Sequence, residues 1–186
     1  MNSYVTNQFF HSEFMFNYDV VLSSGRHLED MYPRKLAKTK IYLPTGSYTS
    51  HRMLIPDRAR CARQVALKNF KKHDTLILVT SPGICPPTLN IEIKLMELLR
   101  CLSNVDGIKL VLRMKPTEPV PMFRDFYRQQ LAGVKNVMIT AGEYDLFDFV
   151  GVADLVVTSI STSGYDLAQV GVPTMFIDYH CDKSDE

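Results

Sequence analysis

The sequence from Thr75 onward alternates short apolar runs with segments whose apolar residues recur at helical spacing. Ile91, Leu95 and Leu98 show that helical spacing in the first of these segments. Strands that are apolar throughout are typical of parallel sheets covered by helices on both faces. We therefore predict an α/β fold with a doubly wound, Rossmann-like parallel sheet. The expected strands are 75–80, 109–114, 136–140, 155–159 and 174–177.

A shorter strand–helix–strand pattern comes before this region. Residues 18–22 and 40–43 have the composition of strands, and Leu28, Met31 and Tyr32 between them are spaced as on a helix. Residues 50–73 are rich in charged side chains, and this change in composition predicts a boundary near residue 70. We expect residues 1–70 to form a βα unit with a charged linker, and residues 71–186 to form the Rossmann-like domain.

Composition and motif searches exclude several classes of function. A net charge of +1 on 186 residues argues against a nucleic-acid groove. The four cysteines are scattered and the five histidines do not group, so we predict no metal site and reduced thiols. The dinucleotide, P-loop and nucleophile-elbow motifs are missing from the sequence. The first sixteen residues lack the basic and apolar regions of a signal peptide, and the longest apolar runs are too short to span a bilayer, so we predict a soluble, cytoplasmic protein.

The strongest candidate site follows the fourth predicted strand. Ligands of such sheets bind at the carboxyl ends of strands, and a helix that begins there favours an anion. Ser161, Thr162 and Ser163 would add hydroxyl groups to a phosphate site, and Gly164 would allow close approach. Asp166 could accept a hydrogen bond from a ribose hydroxyl. The alternative is an ordinary helix N-cap, for which serine and threonine are favoured.

Two other strand ends carry candidate residues. Lys115 follows the second predicted strand. Its positive charge could reach the same phosphates there; the alternative is that Lys115 is only a solvated residue at the end of the strand. Glu143 and Tyr144 follow the third predicted strand and could border a nucleobase or ribose, although such loops are usually polar. Ser81–Gly83, after the first predicted strand, is a weaker signal because an ordinary turn has the same composition.

The run from Thr158 to Pro173, TSISTSGYDLAQVGVP, resembles the signature T-D-Y-S-S-x-x-[FY]-D-x5-K-P. This signature is typical of the CDP-glycerol glycerophosphotransferase and capsule-polysaccharide transferase group. These are GT-B transferases with two Rossmann-like halves, of which the carboxyl-terminal half binds the nucleotide-activated substrate. The resemblance implies that Ser161 and Thr162 bind its phosphates and that Asp166 contacts the nucleotide. The matching positions are Thr158, Ser161, Thr162, Tyr165, Asp166 and Pro173.

Three positions depart from the family's motifs, two in that signature and one in a second motif of the family. Ser159 stands where the family has aspartate, and Val172 stands where it has lysine before proline. Lys115 replaces the histidine of the family's His-Pro element. Lysine keeps the positive charge, so phosphate binding is retained better than proton transfer. The resemblance makes Lys115 the candidate catalytic residue, acting as a fixed charge.

The resemblance implies a transferase half that binds a nucleotide-activated sugar or polyol-phosphate. The acceptor would be a surface polysaccharide or glycolipid, with no bound metal and no cofactor, in the cytoplasm or peripherally at the inner face of the membrane. Residues 1–70 would be the tail of the acceptor half, and a complete enzyme would need a longer chain or a separate acceptor subunit. Two alternatives stay open: a nucleotide-binding module without catalysis, and a fragment of a nucleotide-sugar 2-epimerase.

Overall fold

The computed structural model describes residues 20–23, 41–44, 57–83, 89–115, 120–159 and 161–177, and the chain divides into two compact units, 1–55 and 56–186. In the first unit, β1 (Val20–Ser23) and β2 (Ile41–Pro44) pair in parallel, with Val20 opposite Ile41. Both strands occur where the sequence predicts them. The helical face expected between them lies outside the described residues.

The second unit contains a five-stranded sheet in which every strand pair is parallel. The strand order is β5-β4-β3-β6-β7, so the predicted doubly wound, Rossmann-like α/β fold is confirmed. Its elements, in chain order, are α1 (Arg58–Lys71), β3 (Thr75–Thr80), α2 (Leu89–Ser103), β4 (Ile108–Arg113), α3 (Val120–Gln130), β5 (Val137–Thr140), a 3₁₀ helix (Leu146–Phe149), β6 (Leu155–Thr158), α4 (Thr162–Gln169) and β7 (Thr174–Phe176).

The strand order creates a topological switch point beside β3. The chain runs from β3 outward through β4 to β5, and then returns to the other side of β3 as β6. In open α/β sheets, the crevice at such a point, beyond the carboxyl ends of the strands, is where ligands bind. The carboxyl ends of β3 and β6 are therefore the part of this fold where a site is expected.

Two apolar cores cover the sheet, one on each face. On one face, α1, the 3₁₀ helix and α4 pack against the sheet around Leu67, Leu78 and Phe149. On the other face, α2 and α3 pack around Leu99 and Tyr127. The double coverage explains why β3 is apolar from Leu76 to Val79 and buried from its second residue onward.

Helix α1 is part of the second unit. Its N-cap is Asp57, whose carboxylate accepts a hydrogen bond from the Ala59 N–H at 2.9 Å. Leu67 is fully buried, and the Lys71 ammonium group lies 2.6 Å from the Asp154 carboxylate. The two units divide between Ile55 and Pro56, whereas the change in composition suggested a boundary near residue 70.

Backbone geometry sets the start of β5 one residue later than the sequence predicts. Asn136, expected as the first residue of β5, has a φ of 63°, so the strand begins at Val137. Between β5 and β6 the chain forms a short 3₁₀ helix, Leu146–Phe149. Asp145 caps it, and the Asp148 carboxylate accepts a hydrogen bond from the Asp145 N–H at 2.6 Å, which closes a capping box. None of the helices within the described ranges is long and apolar enough to cross a membrane.

Gly164 lies in the first turn of α4 and is buried against the sheet. A Cβ atom at this position would overlap the Cγ2 methyl group of Thr158 and lie 3.0 Å from Cε1 of Phe176. The missing side chain therefore allows α4 to pack closely on β6 and β7.

We expect the substitution Gly164→Ala to lower the free energy of unfolding by about 1–3 kcal/mol, the usual cost of overpacking, despite the better helix propensity of alanine. Denaturant unfolding measures this loss. Thr158→Ser removes only the methyl group that the new Cβ would meet, so the double variant should recover part of the lost stability. A Gly164→Ala variant as stable as the original chain would contradict this packing.

Candidate functional site

Two buried hydroxyl groups join β3 and β6 at the switch point. The Thr80 hydroxyl donates a hydrogen bond to the Thr158 hydroxyl at 2.7 Å, and both residues are almost fully buried. Ser81 and Ser159, the next residues on each strand, come where the strands end. The two strand ends are thereby held together at the edge of the sheet where a ligand is expected.

Helix α4 begins at the same edge, four residues after the end of β6. Ser161 is its N-cap and has extended backbone angles, and its hydroxyl accepts a hydrogen bond from the Ser163 N–H at 3.3 Å. Ser161 is therefore a helix N-cap, which is the alternative to a phosphate site that the sequence analysis gave. The helix start also carries the positive end of the helix dipole, which favours a bound anion. Thr162 is exposed and Ser163 is half-buried at this end.

Two further residues of the predicted phosphate and ribose site lie along α4. The packing of Gly164 on Thr158 and Phe176 accounts for this glycine without a ligand, and its predicted approach to phosphate stays a prediction. Asp166 is half-buried. The preceding residue, Tyr165, is exposed and packs its ring on that of Phe176, with centroids 4.6 Å apart.

Lys115 lies two residues beyond the end of β4 and is exposed. Because the sheet is parallel, it lies at the same edge as the start of α4. Strand β4 is separated from β6 by β3, which corresponds to about 10 Å between the two strands. The fold therefore brings Lys115 and Ser161 to one edge of the sheet. That they share a phosphate site stays a prediction.

A cavity of about 500 Å³ lies between α1 and β5. Both loop residues predicted to border a nucleobase or ribose, Glu143 and Tyr144, line this cavity. Thr140 lines it too, and its buried hydroxyl has no hydrogen-bond partner among the described residues. A buried polar group of this kind is costly unless something pairs with it. The other lining residues are Ala62, Arg63, Ala66, Met138 and Ile139.

Glu143 is held in its ionised form. Burial disfavours the charge, but hydrogen bonds from backbone N–H groups and an ion pair with the Arg124 guanidinium outweigh it. The pKa of Glu143 therefore lies below its ordinary value. One of these bonds, from the Ala141 N–H, measures 2.5 Å. The carboxylate thus fixes the loop after β5 while lining the cavity.

Arg63 joins α1 to the 3₁₀ helix on the other side of the cavity. Its guanidinium binds the fully buried Asp148 carboxylate through two hydrogen bonds, at 2.5 and 3.0 Å, and Asp57 at 3.1 Å. The hydrogen bond to Asp148 raises the pKa of Arg63, although burial opposes the charge. Bidentate pairs of this kind fix orientation as well as distance, so the cavity wall is held in place.

Sequence reasoning missed three parts of this edge: the Arg63–Asp148 pair, the Thr140 hydroxyl, and a buried cluster of Ser81, Glu92 and Tyr127. For the cluster a signal existed, because Glu92 is a charged residue within the apolar stripe of α2. The arginine pair joins residues 85 positions apart and left no local pattern. Within the described ranges, no three His, Cys, Asp or Glu side chains group so that they could hold a metal ion.

Comparisons with known proteins agree with this fold. No family model matches the chain, and no curated protein matches it. A Listeria monocytogenes protein assigned as a UDP-N-acetylglucosamine 2-epimerase has a TM-score of 0.62 and 15% identity, over 96% of this chain and 47% of its own. The wall teichoic acid polymerase TagF has a TM-score of 0.56 and 16% identity, over 97% and 43%.

Both structures have the GT-B fold, so the chain has the fold of part of a GT-B protein, in agreement with the sequence resemblance. At 15–16% identity, this likeness concerns the fold alone. The chain spans less than half the length of either structure.

The lowered pKa of Glu143 gives a pH-dependent prediction. Its stabilising contribution is present above the ordinary value of 4.5 and is lost as the pH falls through the lower, folded-state pKa. A carboxyl titration by NMR should show a midpoint below 4.5 in the original chain, and a midpoint closer to 4.5 in the variant Arg124→Ala. A wild-type midpoint at or above 4.5 would show that the ion pair does not hold this loop in solution.

Proposed function

We propose that the second unit binds a nucleotide-activated sugar or polyol-phosphate, as part of a GT-B transferase that transfers this group to a polysaccharide or glycolipid acceptor. The observation that carries this proposal is the start of α4 at the switch point between β3 and β6. A helix start with capping hydroxyls in that crevice is suited to a diphosphate.

The proposed chemistry is charge stabilisation. When an acceptor hydroxyl forms its new bond to the transferred group, its proton passes to water and the electrons of the broken bond remain on the departing nucleoside phosphate. The N–H groups at the start of α4, with the hydroxyls of Ser161, Thr162 and Ser163, stabilise that negative charge. Lys115 contributes a fixed positive charge from β4, without passing a proton. The acceptor binds outside the residues that form this sheet.

The cavity beside β5 is the proposed place for the nucleoside. Tyr144 offers an aromatic ring, and Glu143 offers an ionised carboxylate that can accept hydrogen bonds. The unpartnered Thr140 hydroxyl adds a third polar group on the same wall. Asp166, near the start of α4, is the proposed ribose contact. No bound metal or cofactor is included in this proposal.

Two other functions are compatible with the same fold. The structural likeness to the Listeria protein favours a nucleotide-sugar 2-epimerase as the second candidate. The third is a nucleotide-binding module without catalysis. Product analysis after incubation with UDP-N-acetylglucosamine separates these candidates: epimerisation, hydrolysis or transfer of the sugar, or binding without turnover.

We expect the 186-residue chain to bind nucleoside diphosphates, and the double variant Ser161→Ala, Thr162→Ala to bind them about tenfold more weakly, because two hydroxyl contacts are lost. Calorimetric titration with CDP, UDP and GDP measures this. The matched control is Thr75→Ala, which removes an exposed hydroxyl at the opposite end of β3. If no nucleotide binds, or if the double variant retains full affinity, the start of α4 is only a capped helix.

The role of Lys115 as a fixed charge is tested separately. Lys115→Arg should keep most of the nucleotide affinity, whereas Lys115→Ala should lose about fivefold, because one exposed phosphate contact contributes about 1 kcal/mol. The affinity of Lys115→Ala should also depend less on salt. Equal affinities for all three proteins would remove Lys115 from the site.

A further inference from the structure

A buried polar cluster lies under the carboxyl end of β3, on the sheet face that α2 and α3 cover. Its members are Ser81 at the strand end, Glu92 from α2 and Tyr127 from α3. Glu92 and Tyr127 are fully buried, and Ser81 is 4% exposed. We infer that Glu92 is a positioning residue for the nucleotide site: through Ser81 it fixes the turn Ser81–Gly83 beside the switch point.

The direction of each hydrogen bond follows from the contacts. The Ser81 hydroxyl donates to Oε1 of Glu92 at 2.5 Å. Its single proton is then used, so the Tyr127 hydroxyl, 2.8 Å away, donates to Ser81. The Gly83 N–H donates to the Ser81 hydroxyl at 2.9 Å and to Glu92 Oε1 at 3.2 Å. Ser81 thus uses one proton and two lone pairs, which is its full hydrogen-bonding capacity.

Because all of its hydrogen-bonding groups are used, Ser81 has a structural role and is not a nucleophile. The cluster acts on the backbone, because two acceptors converge on the N–H of Gly83. That residue has a φ of 96°, a conformation that side-chain-bearing residues avoid. Glycine adopts this conformation without strain, and the carboxylate helps to hold the turn in it.

The position of the turn connects the cluster to the proposed nucleotide site. Ser81 directly follows Thr80, whose hydroxyl binds Thr158 on the opposite face of the sheet. The Cγ2 methyl group of Thr158 in turn lies beneath Gly164, in the first turn of α4. The switch point is therefore held from both faces, by the carboxylate cluster on one and by the threonine pair on the other.

Burial of a carboxyl group costs free energy, because the group loses its hydration. An apolar side chain would usually stabilise a core at least as well, and buried polar groups are retained in some proteins because they specify one conformation. The contacts of Glu92 with Ser81 and Gly83 point to that use here. The inference rests on the proposed function, since the turn matters only if a ligand occupies the crevice.

The test compares two substitutions of Glu92. Glu92→Gln keeps an oxygen that can accept from Ser81 and Gly83, whereas Glu92→Leu removes it at similar volume. Glu97→Leu, at an exposed position of the same helix, is the control. We expect Glu92→Gln to bind CDP or UDP nearly as well as the original chain, and Glu92→Leu to bind about five- to tenfold more weakly. The Gly83 amide should exchange with solvent faster in the leucine variant alone.

Nucleotide affinity is measured on folded protein, so a role limited to stability would change the melting temperature and leave the affinity unchanged. If Glu92→Leu does not fold, the affinity of Ser81→Ala tests the inference instead, because this substitution removes the hydroxyl that joins Glu92, Tyr127 and Gly83 with little change in volume.

Weaker nucleotide binding by Ser81→Ala supports the inference. Wild-type affinity in the folded Glu92→Leu or Ser81→Ala variant, while Ser161→Ala, Thr162→Ala binds weakly, overturns this inference and leaves the proposed function standing. Absence of CDP and UDP binding by the original chain overturns both.

Discussion

The double burial of β3 is the constraint on which the second unit depends. This strand is paired on both edges, with β4 and β6, and covered on both faces by helices. Its polar backbone groups are satisfied only within the sheet, so its neighbours must be strands in register. Because the chain leaves β3 in one direction and returns on the other side, the two helix layers separate at its carboxyl end. The candidate site lies there for that reason.

The polar groups at this end divide between fixing the scaffold and contacting a ligand. Thr80 and Thr158 are buried and hydrogen-bonded to each other, and they hold two strand ends together. The members of the Glu92 cluster are also buried and hydrogen-bonded to each other, and they hold a turn. Ser161, Thr162 and Lys115 lie further out, where a ligand could reach them. This division fits a site whose chemistry would be stabilisation of charge on a phosphate, because such stabilisation works best when the surrounding dipoles do not have to move.

Much of the fold was predictable because each buried strand is a continuous apolar run and each helix has one apolar face. The N-cap at Ser161 was predictable for the same local reason. The terminal residues of the strands were not predictable, since they depend on backbone angles such as the φ of Asn136. Gly164 was noticed for ligand access, yet its packing on Thr158 arises from contacts between elements, which sequence spacing does not reveal. The Arg63–Asp148 pair is equally long-range.

Helix α1 has a consequence for how this unit can be separated from the rest of a chain. It precedes the sheet in sequence, but it supplies Leu67 to the core and binds Asp148 and Asp154 through its basic side chains. A shortened chain that began at β3 would leave two aspartates without their cations and part of one sheet face open to water. The smallest autonomous piece therefore starts at Asp57 or earlier, and exchange of this unit between proteins would have to carry the helix with it.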